Sequence, residues 1–133
     1  MKANTIKKAV VVAPVSVLRN WENEARKILR QCVGVKIQVL SSDISVQKRK
    51  KILQQALEAQ SPQLVITSFG VVANNPDHFT QHVAGKHVWD YVILDEAVRC
   101  SIYLEIICAS WGTSSFDLIY YLVSTVVFFF SIR

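Results

Sequence analysis

Residues Ala9 to Ala13, AVVVA, form a continuous apolar run rich in β-branched side chains that stops at Pro14. A strand of that kind is one covered on both faces, the usual state of a parallel sheet with helices on either side. A secretory hydrophobic segment needs about 7 to 15 residues. The five residues behind MKANTIKK therefore read as a buried strand rather than a leader.

Beyond Pro14 the chain alternates between two periodicities. In SVLRNWENEARKILR, Val17, Leu18, Trp21, Ala25, Ile28 and Leu29 recur at the spacing of one helix face, with Ser16 as the expected N-cap. GVKIQVL (34–40) is strand-like, and DISVQKRKKILQQALEA (43–59) is helix-like, with Asp43 as candidate cap and Ile52, Leu53 and Ala56 facing inward. QLVITS (63–68) and WDYVILD (89–95) supply two more strands, separated by a polar stretch with room for a short helix. Strand and helix in alternation predict an α/β fold with a parallel sheet, whose ligand sites gather at the carboxyl ends of the strands. Those ends are Pro14 to Ser16, Thr67 to Phe69, and Asp95 to Ala97.

Composition sharpens this picture only when the chain is divided. Its 133 residues suit one ordinary domain and exclude a complete two-domain motor. Residues 1–99 carry 14 Lys+Arg against 8 Asp+Glu, a net of +6, whereas residues 100–133 hold 22 hydrophobic residues in 34 positions. The basic excess favours salt-sensitive, sequence-independent attraction to phosphate. Lys48-Arg49-Lys50-Lys51 contributes to it, but consecutive residues spread around a helix and make a solvated face rather than one focused patch. Cys32, Cys100 and Cys108 form neither a disulfide framework nor a CxxC pair, which fits a reducing compartment. His78 and His82 stand at i, i+4, with His87 nearby, but no Cys or carboxylate completes a zinc set.

The strand that ends directly in Asp95-Glu96-Ala97 carries the most chemistry. A carboxylate at that position can hold magnesium through water, and its neighbour can orient a water that attacks a triphosphate. Asp95 and Glu96 are candidates for these roles; the plain alternative is two solvated acids at a helix start, favoured by the helix dipole. Trp21 and Trp89 read as packing aromatics rather than as base-stacking platforms.

In order along the chain, VVVAPVSVLRNWENEA, LVITSFG and WDYVILDEA resemble the first motor lobe of the Swi/Snf-type helicase-like ATPases, the superfamily-two DNA translocases of remodelling and repair. APVSVLRNW is similar to motif Ia, the ITSF stretch to motif Ic, and DEA to motif II, the Walker B element; the likeness covers about residues 9–99, with the excision-repair-like branch close. The resemblance implies a partial RecA-like sheet, ATP and magnesium as cofactors, double-stranded DNA as partner alongside chromatin or repair proteins, and a nuclear location. It also implies DNA-backbone contacts at Ser16, Arg19, Asn20, Thr67 and Ser68. Hydroxyls and free helix N–H groups are ready phosphate ligands. The plain alternative leaves Ser16 as a cap and Thr67 as a strand end.

Two departures limit what the resemblance implies. A Walker A loop wraps the phosphates with a Gly-rich turn, Lys and Ser/Thr. The Gly85-Lys86 pair is followed by His87, and Thr80 stands where that pattern needs its first Gly. The family's loop lies upstream of motif Ia, so the expectation is a lobe fragment that starts after it and has no ATPase activity alone. Motif II then continues Asp95-Glu96-Ala97-Val98-Arg99-Cys100, with Val98 in place of the family's His. Beyond Cys100 nothing matches. Gly112-Thr113 comes too early for motif III, and residues 100–133 are expected to be a non-homologous hydrophobic tail.

Within that tail, Leu118 to Phe130 is 13 residues with 11 hydrophobic. As a helix it would span about 20 Å, short against a bilayer core of about 30 Å, so a membrane anchor is not favoured. For the tail, a native β or helical core element stays open as well; for the whole chain, two other readings do, a non-catalytic α/β module that binds DNA or protein and a tail-anchored membrane protein.

Overall fold

The computed structural model describes residues 7–79, 82–83, 86–87, 89–95, 116–123 and 125–132. The elements are β1 (Lys8–Ala13), a 3-10 turn (Val15–Val17), α1 (Leu18–Leu29), β2 (Lys36–Leu40), α2 (Val46–Glu58) and β3 (Gln63–Ser68). Then come α3 (Phe69–Asn74), α4 (Pro76–Phe79), β4 (His82–Val83), β5 (Lys86–His87), β6 (Tyr91–Asp95), β7 (Phe116–Val123) and β8 (Thr125–Ile132). The main sheet runs β2-β3-β1-β6-β8-β7, and β4 and β5 form a separate pair. The first four strands are mutually parallel, with Val11 opposite Ile66 on one side and Ile93 on the other. This is the α/β parallel sheet that the alternation predicts.

The AVVVA run explains itself in the register. Val10 and Val12 point into one core with Leu40, Leu53, Ala56, Val65, Val92 and Leu94, while Val11 and Ala13 point into the other with Leu18, Ala25 and Ile66. Alternate side chains of one strand thus serve two cores, and each buried aliphatic side chain contributes roughly 1.5–3 kcal/mol. Helix α2 covers the first face through Leu53 and Ala56, and α1 covers the second through Leu18 and Ala25.

The ends of the helices differ from expectation. Pro14 holds φ −58° and ψ 145° and opens a 3-10 turn closed by Val17 N–H on the Pro14 carbonyl at 3.1 Å. Helix α1 then starts at Leu18 with no side-chain cap, so Ser16 does not cap it. Ile28 is 72% exposed, although its spacing placed it on the buried face. Helix α2 starts at Val46, with Ser45 Oγ accepting from Lys48 N–H at 3.4 Å. Asp43 instead takes the hydroxyl of Ser41, so it belongs to the preceding turn.

Two long-range ties close the amino end of the sheet. Asp90 accepts the backbone N–H groups of Lys7 and Lys8 at 2.8 and 2.9 Å. The Lys8 ammonium donates to the Ala56 and Ala59 carbonyls at 3.1 and 2.7 Å, at the carboxyl end of α2 where a cation is favoured. Trp89 is buried and donates its indole N–H to the Phe79 carbonyl at 2.7 Å, as a packing aromatic with its one polar atom satisfied.

The apolar segment 118–130 falls in two antiparallel strands rather than one helix. Strand β8 pairs antiparallel with β6, with Asp95 opposite Val127, and β7 pairs with β8. Among the described residues no helix is long and apolar enough to cross a membrane.

Candidate functional site

Strands β3, β1 and β6 are neighbours and parallel. Their carboxyl ends therefore lie side by side, with Ala13 opposite Ser68 and Val12 opposite Leu94. One edge of the sheet gathers Pro14 to Ser16, Thr67 to Phe69, and Asp95, the three places the sequence marks. Glu96 and the residues after it through Ser115, including Val98, Cys100 and Gly112-Thr113, lie outside the described residues, as do Thr80 and Gly85.

Ser16, Arg19 and Asn20 are all exposed, on the 3-10 turn and the first turn of α1. A hydroxyl, a side-chain amide and a guanidinium share that surface, groups that donate to phosphate oxygens. Thr67 and Ser68 are placed differently. Thr67 is fully buried and its hydroxyl donates to the Leu40 carbonyl at 2.8 Å. Ser68 is 2% exposed and its Oγ accepts from Val71 N–H at 3.3 Å, capping α3. Rather than face solvent, the Thr67 hydroxyl ties β3 to the end of β2 and the Ser68 hydroxyl caps α3.

The outer face of α1 continues the polar surface. Asn20, Asn23, Glu24, Arg26, Lys27 and Arg30 line a shallow cleft of about 450 Å³. Arg26 pairs with Glu22 at 2.9 Å and Lys27 with Glu24 at 3.0 Å, exposed pairs of little energetic weight. On α2, Lys48, Lys50 and Lys51 are exposed, whereas the Arg49 guanidinium turns back onto the Ser41, Ser42 and Ile44 carbonyls at 3.2, 3.3 and 2.6 Å. The basic run is thus a divided face, one member of which braces the β2–α2 loop.

Asp95 is 8% exposed at the last position of β6. Its Oδ2 accepts the indole N–H of Trp21 at 2.8 Å, across 74 positions of sequence. Sequence periodicity places Trp21 on the buried face of α1 but carries no signal for this partner. The residues described at this edge provide one hard oxygen donor suited to magnesium through water and no glycine-rich cradle for a triphosphate. They do not make an ATP–magnesium site by themselves. Among the described residues no group of three or more His, Cys, Asp or Glu side chains could hold a metal ion. His78 sits in α4 and His82 in β4, so the shared helix face suggested by their spacing does not form.

Comparison with known proteins identifies the family. Residues 1–102 match the SNF2-related domain. Two proteins called Helicase swr1, from Aspergillus fumigatus and Emericella nidulans, are each 33% identical to the chain over 88 residues. That stretch is 66% of this chain and 5% of each relative, so the chain spans a small part of the curated proteins it matches. With its parallel sheet and motif order, the chain belongs to the SNF2-related, Swi/Snf-type family of helicase-like proteins.

Proposed function

We propose that residues 1–99 are part of the first motor lobe of a Swi/Snf-family ATP-dependent DNA translocase acting in the nucleus, in chromatin remodelling or DNA repair. The observation that carries this reading is the meeting of motifs Ia, Ic and II at one edge of the sheet. Ser16, Arg19 and Asn20 contact the phosphate backbone of double-stranded DNA, and Thr67 and Ser68 hold the β2 end and the α3 start beside them in place. Asp95 and Glu96 serve magnesium and the attacking water only when a phosphate loop and the second lobe complete the motor. Chromatin or repair proteins are partners of that whole assembly. The chain alone does not turn over ATP, and residues 100–133 are a non-homologous end attached to the family segment; the family match stopping at residue 102 supports this division.

The test is ATP turnover by the purified chain with and without duplex DNA. No turnover is the expected result, and DNA-stimulated turnover overturns the inactivity. A second reading, a non-catalytic DNA- or protein-binding module, draws support from the exposed polar cleft along α1. Salt-dependent duplex binding that survives Asp95→Ala and falls with Arg19→Ala favours it.

A further inference from the structure

The hydrogen bond between Trp21 and Asp95 joins two segments that the family reading assigns to different ligands. Asp95 ends β6 and begins motif II, and Trp21 lies on α1 directly after Arg19 and Asn20. The indole is only half-buried, packed at the margin of the cluster formed by Val11, Ala13, Leu18, Ala25 and Ile66. That cluster already fastens α1 to the sheet. What the indole adds is a donor, aimed at a carboxylate that is 8% exposed. A charge-assisted bond to a carboxylate is shorter and about twice as strong as a neutral one. It also favours one χ1 setting of Asp95, because a carboxylate oxygen must stay within reach of the indole N–H. The two residues before the donor are exposed on the same helical turn, and a helical turn moves as a unit.

We propose that Trp21 is a positioning residue: its indole N–H fixes the Asp95 carboxylate and ties it to the first turn of α1, so that a phosphate backbone seated on Arg19 and Asn20 alters the setting of Asp95. The transmission half of this proposal rests on the DNA reading above; the positioning half does not. The tie needs no change of fold. A small rotation of the first turn of α1 moves the indole, and the carboxylate moves with its donor.

The experiment uses the full-length chain labelled with nitrogen-15 and carbon-13, with the Trp21 indole resonance assigned among the three tryptophans by the variant Trp21→Phe. Without DNA, Asp95→Ala shifts the Trp21 indole proton and speeds its exchange by about ten- to a hundredfold, the factor set by losing one net hydrogen bond to a charged group. Trp21→Phe keeps a ring in the cluster and shifts the Asp95 carboxylate carbon. An indole resonance indifferent to Asp95→Ala, together with a carboxylate carbon indifferent to Trp21→Phe, overturns the positioning. The two variants approach the bond from opposite sides, so a folding failure in one leaves the other to decide. A short blunt-ended DNA duplex is then added. In the wild-type chain the Asp95 carboxylate carbon moves, and in Trp21→Phe the duplex binds with unchanged affinity while that carbon stays still. Equal movement in both chains overturns the transmission and leaves the DNA reading standing. Absence of duplex binding by the wild-type chain sinks the DNA reading and the transmission together, and the first pair of variants still decides the positioning.

Discussion

Trp21 and Asp95 stand 74 positions apart in sequence and meet at 2.8 Å, indole N–H to carboxylate oxygen. Helix α1 and strand β6 each have their own packing, so the bond is an addition to a fold already closed by apolar burial. Its loss leaves a nearly buried carboxylate short of a donor. Trp21→Phe should therefore destabilise the chain by about 1–3 kcal/mol, read as a lower urea midpoint at unchanged slope. An unchanged midpoint would mean that water replaces the indole at no cost.

Leu94 is fully buried on β6, between β1 and the face covered by α2. Leu94→Ala removes buried methyl groups and leaves a cavity that a sheet interior relaxes poorly, a loss of about 2–5 kcal/mol. Urea denaturation monitored by far-UV circular dichroism measures it. The same experiment on Ile28→Glu should show a change within about 0.5 kcal/mol, because Ile28 is 72% exposed. A large loss from Ile28→Glu would instead support the helix face as its spacing implies.

Much of this contrast was legible in the chain. Strand β3 coincides with the QLVITS run, β1 with AVVVA extended by one residue, and the parallel order comes from the alternation. A strand buried on both faces must be apolar at every position, which is the most local of signals. The helix starts were harder to read. Ser16 lost its capping role because Pro14 opens a 3-10 turn ahead of the helix, and Asp43 lost its role because Ser45 is nearer the first helical residue. Both outcomes depend on how the preceding strand delivers the chain, which spacing does not encode. The site was half legible. Motif order marks the edge where three strand ends meet, yet the burial of Thr67 and Ser68 goes with the β2 end and the α3 start that they bond, and the Trp21–Asp95 bond comes from the sheet order.

The carboxyl group of Asp43 is held below its ordinary value of 3.8, first by the Ser41 hydroxyl and then by its own backbone N–H. A depressed folded value means that the contribution to stability is present above 3.8 and is lost as pH falls through the lower folded value. Nuclear magnetic resonance titration of the Asp43 carboxylate should give a midpoint below 3.8 in the wild-type chain and a higher one in Ser41→Ala. An identical midpoint in the two chains would remove Ser41 as the main cause.

The arrangement of the two helices makes the DNA reading directional. Helix α1 packs on the face of the sheet lined by Val11 and Ala13, and α2 on the opposite face with Val10 and Val12. Arg19 and Lys48 are both exposed cations, but they belong to helices on opposite faces. If the duplex lies along the first turn of α1, Arg19→Ala should weaken binding and reduce the slope of log affinity against log salt by about 0.9, the yield of one lost phosphate contact. Lys48→Ala should leave that slope unchanged, since its ammonium sits on the far side of the sheet. Fluorescence anisotropy with a labelled duplex over a salt series measures both. Equal reductions from the two substitutions would replace a defined interface with diffuse attraction between a chain of net charge +5 and a polyanion.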